Sequence, residues 1–219
     1  MFRAYFAQVP LTDAEPLNDE LSDYRHGRLG SIRNPAQRRL SLEAELLLIR
    51  SLKTLGEVCL PLDIFVEDGG KPRLRDGPCF SLSHSGQQVF CALSDSSVGA
   101  DVQKIVDKGP GDRMLERCLS ERERQIYETI EDKELFFTLL WSLKESYAKL
   151  DGAGLGPLHP AEICIEFGPP GLARVDGTDA KLWYHIGDAY VFTVCSGKYA
   201  APELFEELSQ DSMGCQKKD

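Results

Sequence analysis

FSLSHSGQQVFCALSDSSVGADV, residues 80–102, is the stretch on which the fold turns. FSLSH, VFCALS and VGADV are three short β-prone runs, separated by the turn-forming SGQQ and DSS. If they form an antiparallel meander, the first and third run the same way, and His84 and Asp101 emerge at the same end of the sheet. Period-2 alternation sets Val98, Ala100 and Val102 toward the core and puts Gly99, Asp101 and Gln103 on the opposite face. Two oxygen-bearing side chains at i and i+2 on one strand face make half of a metal site.

Upstream, residues 2–9 read as a strand followed by a polar loop through Glu20, and residues 35–56 read as a helix. Its apolar positions Leu42, Leu46, Ile49 and Leu52 recur at helical spacing between Pro35 and Gly56. Downstream, Ser120-x-x-Glu123 is a capping-box pattern that opens a helix through about Ile130. The segment 134–150 is the strongest helix in the chain, with Phe136, Leu140, Leu143, Tyr147 and Leu150 forming one buried stripe. Trp141, Glu145 and Lys149 line up beside that stripe, and Gly152, Gly154 and Gly156 end it. Residues 163–167, 181–187 and 189–197 read as strands with a hairpin turn around Gly187–Asp188, and the polar end, from Glu206 on, reads as a frayed tail. Strand, helix, strands, then helix and strands again is an α+β order with two similar halves.

The balance of residues narrows the function. The chain has 219 residues, 42% hydrophobic and 27% charged, too apolar for disorder. Its 25 Lys plus Arg stand against 35 Asp plus Glu, a net charge of −10, which argues against a nucleic-acid partner. The seven cysteines are scattered, with no Cys-x-x-Cys, so they form neither a zinc frame nor a disulfide scaffold. The first residues lack a signal-peptide core, and no apolar run approaches a membrane span. The expectation is a soluble cytoplasmic protein with no membrane partner. One segment departs from the acidic average: Arg25, Arg28, Arg33, Arg38 and Arg39 fall in an acid-free run between 25 and 42, which reads either as a solvated helix entry or as an anion or partner contact.

There is no P-loop, no Rossmann glycine pattern after a strand, no nucleophile elbow and no His-Glu-x-x-His. The remaining candidates each have an ordinary reading. Asp101 is a strand-end carboxylate, Glu145 and Lys149 a helical i, i+4 ion pair, His84 a structural histidine and Lys71 a turn lysine. Asp101 with Gln103 nonetheless offers the oxygen ligands that Mg²⁺ prefers.

Taken together they are specific. Gly-Lys-Pro at 70–72, Phe-Ser-Leu-Ser-His-Ser-Gly at 80–86, Val-Gly-Ala-Asp-Val at 98–102 and Trp-Ser-Leu-Lys-Glu-Ser-x-x-Lys at 141–149 occur in this order. The set resembles the 4′-phosphopantetheinyl transferases of the larger, surfactin-synthetase-activating type, closely over about residues 70–156 and loosely outside them. The resemblance implies transfer of the phosphopantetheine arm of coenzyme A to a serine of an apo acyl or peptidyl carrier protein, with Mg²⁺ and release of 3′,5′-ADP. It implies that Asp101 and Glu145 ligate Mg²⁺, that Glu145 is also the base for the carrier serine, and that Lys149 pairs with the pyrophosphate. Ser83 and His84 correspond to contacts with the 3′-phosphate, and Lys71 with Pro72 to the adenine side. Arg38 and Arg39 correspond to a further phosphate contact of unfixed register, and Lys144 to a weaker one.

Two positions depart from the family's commoner pattern. Gln103 stands where a third acid is usual, so it would ligate through a neutral amide oxygen or hold a ligating water, with weaker Mg²⁺ binding. The helix motif continues Lys-Glu-Ser where Lys-Glu-Ala often follows Trp. The resemblance further implies two pseudo-symmetric α/β halves, 1–97 and 98–203, joined near Ser96–Ser97, each a small antiparallel sheet with a long helix, the coenzyme A cleft between them and a tail over 204–219. One chain then holds the whole site and acts as a monomer. Because carrier and chain are both acidic, docking is expected to rest on apolar contact, with the arginine-rich segment 25–39, Arg28 and Arg33 included, supplying local attraction. The competing readings are a non-catalytic coenzyme A or carrier-protein binding module and an unrelated Mg²⁺-dependent hydrolase.

Overall fold

The structure, a computed structural model, describes residues 1–10, 19–56, 58–150, 152 and 158–208. Sixteen helices and strands are seen among them: β1 (Phe2–Gln8), α1 (Asp23–Ser31), α2 (Pro35–Lys53), β2 (Ile64–Val66), β3 (Pro72–Leu74), β4 (Cys79–Ser85), β5 (Gln88–Ser94), β6 (Val98–Lys104), α3 (Asp112–Cys118), α4 (Glu121–Thr129), α5 (Lys133–Leu150), β7 (Ile165–Phe167), β8 (Leu172–Val175), β9 (Lys181–Ile186), β10 (Tyr190–Ser196) and β11 (Leu204–Glu207). One sheet has the order β11-β1-β5-β4, the second β6-β10-β9-β8-β7, and β2 pairs with β3 alone. The class is α+β, as the sequence order implies.

Alternation along the strands sorts the side chains into layers. Val89, Cys91 and Leu93 of β5 pack with Leu40, Ala44, Leu47 and Leu48 of α2, while Phe90 and Ala92 pack between the sheets with Val98, Ala100, Val102, Phe192 and Val194. On the outer face of the second sheet, Leu182, Val191 and Cys195 meet Phe136, Leu140 and Leu143 of α5. The molecule is therefore helix, sheet, sheet, helix. The capping box at Ser120 and Glu123 is formed, and the Ser120 side chain accepts from the Glu123 amide. Among the described residues no helix is long and apolar enough to cross a membrane.

The structure corrects the expected meander. β4 and β5 do pair, but β6 leaves them after the turn at 95–97 and pairs with β10, Asp101 opposite Thr193. The physical reason lies in three serines on the inner face of β4. Ser81 accepts from the Ala100 amide at 2.9 Å and Ser85 from the Lys104 amide at 3.0 Å, while Ser83 reaches the Asp101 carboxylate at 2.7 Å. Side-chain hydroxyls thus replace a backbone ladder on that edge of β6 and satisfy its amides. β4 and β6 still run the same way, since 81 faces 100 and 85 faces 104. A second correction concerns the tail: Leu204–Glu207 form β11, parallel to β1, and the Leu208 amide donates to Phe6 O. Residues 209–219 lie outside the described residues. Of the helix-ending glycines only Gly152 is described, with φ +85; Gly154 and Gly156 lie outside.

α5 lies directly on β6 at Gly99. A Cβ there would stand 1.8 Å from the Ser146 carbonyl oxygen and 2.7 Å from the Leu150 nitrogen, both backbone atoms. Only a residue without a side chain lets the helix approach this closely. Gly99→Ala is expected to destabilise the protein by about 3 kcal/mol or more, the upper range for overpacking, because a backbone has to move. Urea denaturation measures it, and a loss below about 1 kcal/mol would contradict the contact.

Candidate active site

The close approach at Gly99 brings the next outward-facing residue of β6, Asp101, under the last turns of α5. Asp101 is 1% exposed. Its Oδ1 accepts from Lys149 Nζ at 2.6 Å and from Ser83 Oγ at 2.7 Å, and its Oδ2 accepts from the Gln103 amide nitrogen at 3.0 Å. Lys149 also donates to Ser83 Oγ at 3.2 Å. Glu145, one turn earlier on α5, is half-buried. Burial pushes its carboxyl above the usual carboxylate range, the Asp101 charge adds to this, and Lys149 opposes it.

Two carboxylates that repel each other, one amide and a single ammonium form an oxygen-rich site short of positive charge. That donor set suits a hard divalent cation, which keeps water and phosphate oxygens in its remaining positions. Among the described residues no three His, Cys, Asp or Glu come together as a metal cluster. Asp101, Glu145 and the Gln103 amide are the side chains that could hold such a cation.

Lys149 also lines a cleft of about 260 Å³, whose other walls include Tyr24 and Arg28 of α1, Lys71 and Pro72 at the start of β3, and His84 of β4. Burial lowers the His84 pKa first, and the nearby Lys149 and Arg25 charges lower it further. A larger hollow of about 790 Å³ beside α3, lined by Arg113, Met114 and His159 among others, contains none of the residues singled out in the sequence.

The remaining candidates are placed less as expected. Lys144 is fully buried on another side of α5 from Lys149, donating to Glu123 Oε2 at 2.5 Å and to the Cys118 carbonyl at 2.7 Å. Glu123 in turn accepts from the Ser120 and Ile165 amides, so the pair ties α3, α4 and β7 to α5 and is no phosphate contact. Arg38 bonds the Leu29 carbonyl and Arg39 pairs with Glu43; neither lines the cleft. Arg25 and Arg28, earlier in the same basic run, do. Arg25 is held by Glu45 Oε2 at 3.1 Å and Ser41 Oγ at 2.7 Å, and Glu45 also takes the Ser22 amide and hydroxyl, which caps α1. The Lys71 ammonium is bonded to three backbone carbonyls. Ser83, a candidate from the sequence, reaches Asp101, whereas Glu45, Tyr24, Ser81 and Ser85 carry no sequence-level assignment; the alternation of the serines was the available signal.

Residues 97–195 match the family model of the 4′-phosphopantetheinyl transferase superfamily. The chain is 32% identical over 200 residues to 4′-phosphopantetheinyl transferase psf-1 of Bacillus pumilus, covering 81% of this chain and 84% of that one. It is 27% identical over 157 residues to 4′-phosphopantetheinyl transferase Sfp of Bacillus subtilis strain 168, covering 67% and 68%. The crystal structure of Thermotoga maritima holo-[acyl-carrier-protein] synthase overlaps 46% of this chain and 62% of its own, with a TM-score of 0.38 and 20% identity.

The raised pKa of Glu145 has a consequence for stability. A carboxyl that holds its proton more tightly folded than unfolded draws stability down as it ionises, from its unfolded value of about 4.3 up through its raised folded value. Glu145→Gln, which has no charge to desolvate, is expected to be more stable than the parent at pH 7 without metal, with the advantage lost below about pH 4.3. Denaturant titration across this range tests it; an advantage that does not depend on pH would contradict the burial of a charged carboxylate.

Proposed function

The chain belongs to the 4′-phosphopantetheinyl transferase superfamily and transfers the phosphopantetheine arm of coenzyme A to carrier proteins; we propose that it does so with Mg²⁺, onto a serine of an apo acyl or peptidyl carrier protein, releasing 3′,5′-ADP. The observation that carries this reading is Lys149, which lines a cleft shared with His84 and Arg28, bonds the Asp101 carboxylate and lies within charge interaction of Glu145.

In this reading Asp101 and Glu145 hold Mg²⁺, with Gln103 either ligating through its amide oxygen or, as its bond to Asp101 supports, steadying that carboxylate. When bound, the cation neutralises charge on the pyrophosphate. Lys149 is only partly buried, so its ammonium is free to turn from Asp101 toward that pyrophosphate. The serine oxygen forms a bond to the phosphorus carrying the pantetheine arm, and the bond from that phosphorus to the bridging oxygen breaks, leaving the electron pair on 3′,5′-ADP. The hydroxyl proton passes to Glu145, directly or through a water, although ligation comes first because a cation lowers the basicity of a carboxylate. His84, the Ser83 hydroxyl and Arg28 take the 3′-phosphate, and Glu45 holds Arg25 in the same cleft wall. Arg25 and Arg28 replace Arg38 and Arg39 in that role.

Both halves of the site come from one chain, which supports a monomer. Among the described residues no cysteine is joined in a disulfide, which supports a reducing, cytoplasmic setting. Exposed Arg33 remains the candidate for attracting an acidic carrier, whereas charge reversal at Arg28, which lines the cleft, is expected to weaken coenzyme A as well.

Intact mass of an apo carrier protein incubated with this protein, coenzyme A and Mg²⁺ tests the reading. The expected result is a gain of one phosphopantetheine arm, lost with EDTA and slowed by about 10²-fold or more in Glu145→Ala. No gain on any carrier, with coenzyme A still bound, would make the chain a binding module instead.

A further inference from the structure

The Lys71 side chain runs from the turn between β2 and β3 to the underside of α5. It is 5% exposed, and its ammonium donates to the carbonyls of Val98 at 2.8 Å, Lys149 at 2.6 Å and Leu150 at 2.6 Å. The turn that delivers it is fixed by Gly70 at φ +85, whose amide donates to Glu67 O, and by the Glu67 amide donating to Lys71 O. On the far side the stem packs against Gly152, where a Cβ would fall 2.5 Å from Lys71 Cβ. Position 152 therefore admits only glycine, which also has φ +85 there.

The last carbonyls of a helix have no partner within it and carry its partial negative charge. A buried ammonium satisfies both needs, and three carbonyl acceptors match its three donors. The choice of carbonyls is what matters for function. Two belong to the final turn of α5, one of them to Lys149 itself, and the third begins β6 three residues before Asp101. One cation thus fastens the backbone of Lys149 to the strand of Asp101, the two residues whose side chains meet at 2.6 Å.

We propose that Lys71 is a positioning residue for the transfer reaction: its ammonium fixes the end of α5 on the start of β6 and so sets the spacing of Asp101, Glu145 and Lys149. Gly70, Lys71 and Pro72 line the cleft, while the charge of Lys71 serves the protein's own carbonyls. This replaces the adenine-side role that the sequence resemblance gives the Lys71 side chain, and it rests on the transferase reading above.

The two roles separate kinetically. Lys71→Met keeps the length and burial of the stem but removes the donors. Positioning predicts a fall in kcat of about 10²-fold, the scale of a 1 Å misplacement, with KM for coenzyme A nearly unchanged. Lys71→Arg, which can still donate to carbonyls, is expected to recover part of it. A rise in KM for coenzyme A with kcat retained, or no change in either, would overturn the proposal. Because Lys71→Met leaves three carbonyls unpaired and could unfold, a second measurement uses the parent protein. The ¹⁵N-ammonium resonance of Lys71 is expected to be protected from exchange and to stay in place when coenzyme A is added. Rapid exchange, or a large shift on adding coenzyme A, would equally overturn it. Failure of the transferase reading shows separately, as an inactive parent protein on every carrier, and leaves the ammonium resonance as it is.

Discussion

Asp101 is the point at which both sheets and the long helix converge. Its carboxylate is buried, and it accepts from a serine of the first sheet, an amide of its own strand and the ammonium of α5. Burying a carboxylate is unfavourable unless it is paired and hydrogen-bonded, so these three donors are a condition for the fold as well as for the chemistry. The arrangement depends on the distance between α5 and β6, which the bare backbone of Gly99 permits and the Lys71 ammonium secures at the helix end. The serines of β4 complete it, because their hydroxyls bridge to β6 without forcing β4 into the second sheet.

The same logic recurs around the site. Lys144 and Glu123 are a fully enclosed ion pair, and burial lowers the Lys144 pKa against the attraction of Glu123. Losing one partner of such a pair destabilises by about 3–5 kcal/mol, whereas the intact pair adds little beyond an apolar substitute. Its contribution is placement, since it holds α3, α4 and β7 on the back of the helix that presents Glu145. Glu45 does the equivalent for Arg25 at the other wall of the cleft. Glu145 differs from these satisfied charges: burial and the Asp101 charge both disfavour its ionised form, and only Lys149 opposes them.

Local signals were legible in the sequence and long-range ones were not. The stripe on α5, the capping box at Ser120 and the facing of β6 follow from spacing alone, and the structure carries all three. The partition of β4 and β6 into different sheets depends on what the serines of β4 touch, which spacing does not state. β11 read as tail because Glu206 and Glu207 are exposed; its pairing with β1 defines it as a strand. The register of the arginines follows from Glu45 reaching Arg25 across 20 positions. Lys144 is different, because the helix geometry itself excluded it: five residues from Lys149, it points about 140° away around α5.

A crystal structure with coenzyme A and Mg²⁺ tests the central claim most directly. The account predicts a cation bonded to Asp101 and Glu145, the pyrophosphate beside it, Lys149 turned onto that pyrophosphate, and the Lys71 ammonium still on the carbonyls of Val98, Lys149 and Leu150. A pyrophosphate bound away from α5, with Lys149 still on Asp101 and no cation between the two carboxylates, would contradict it.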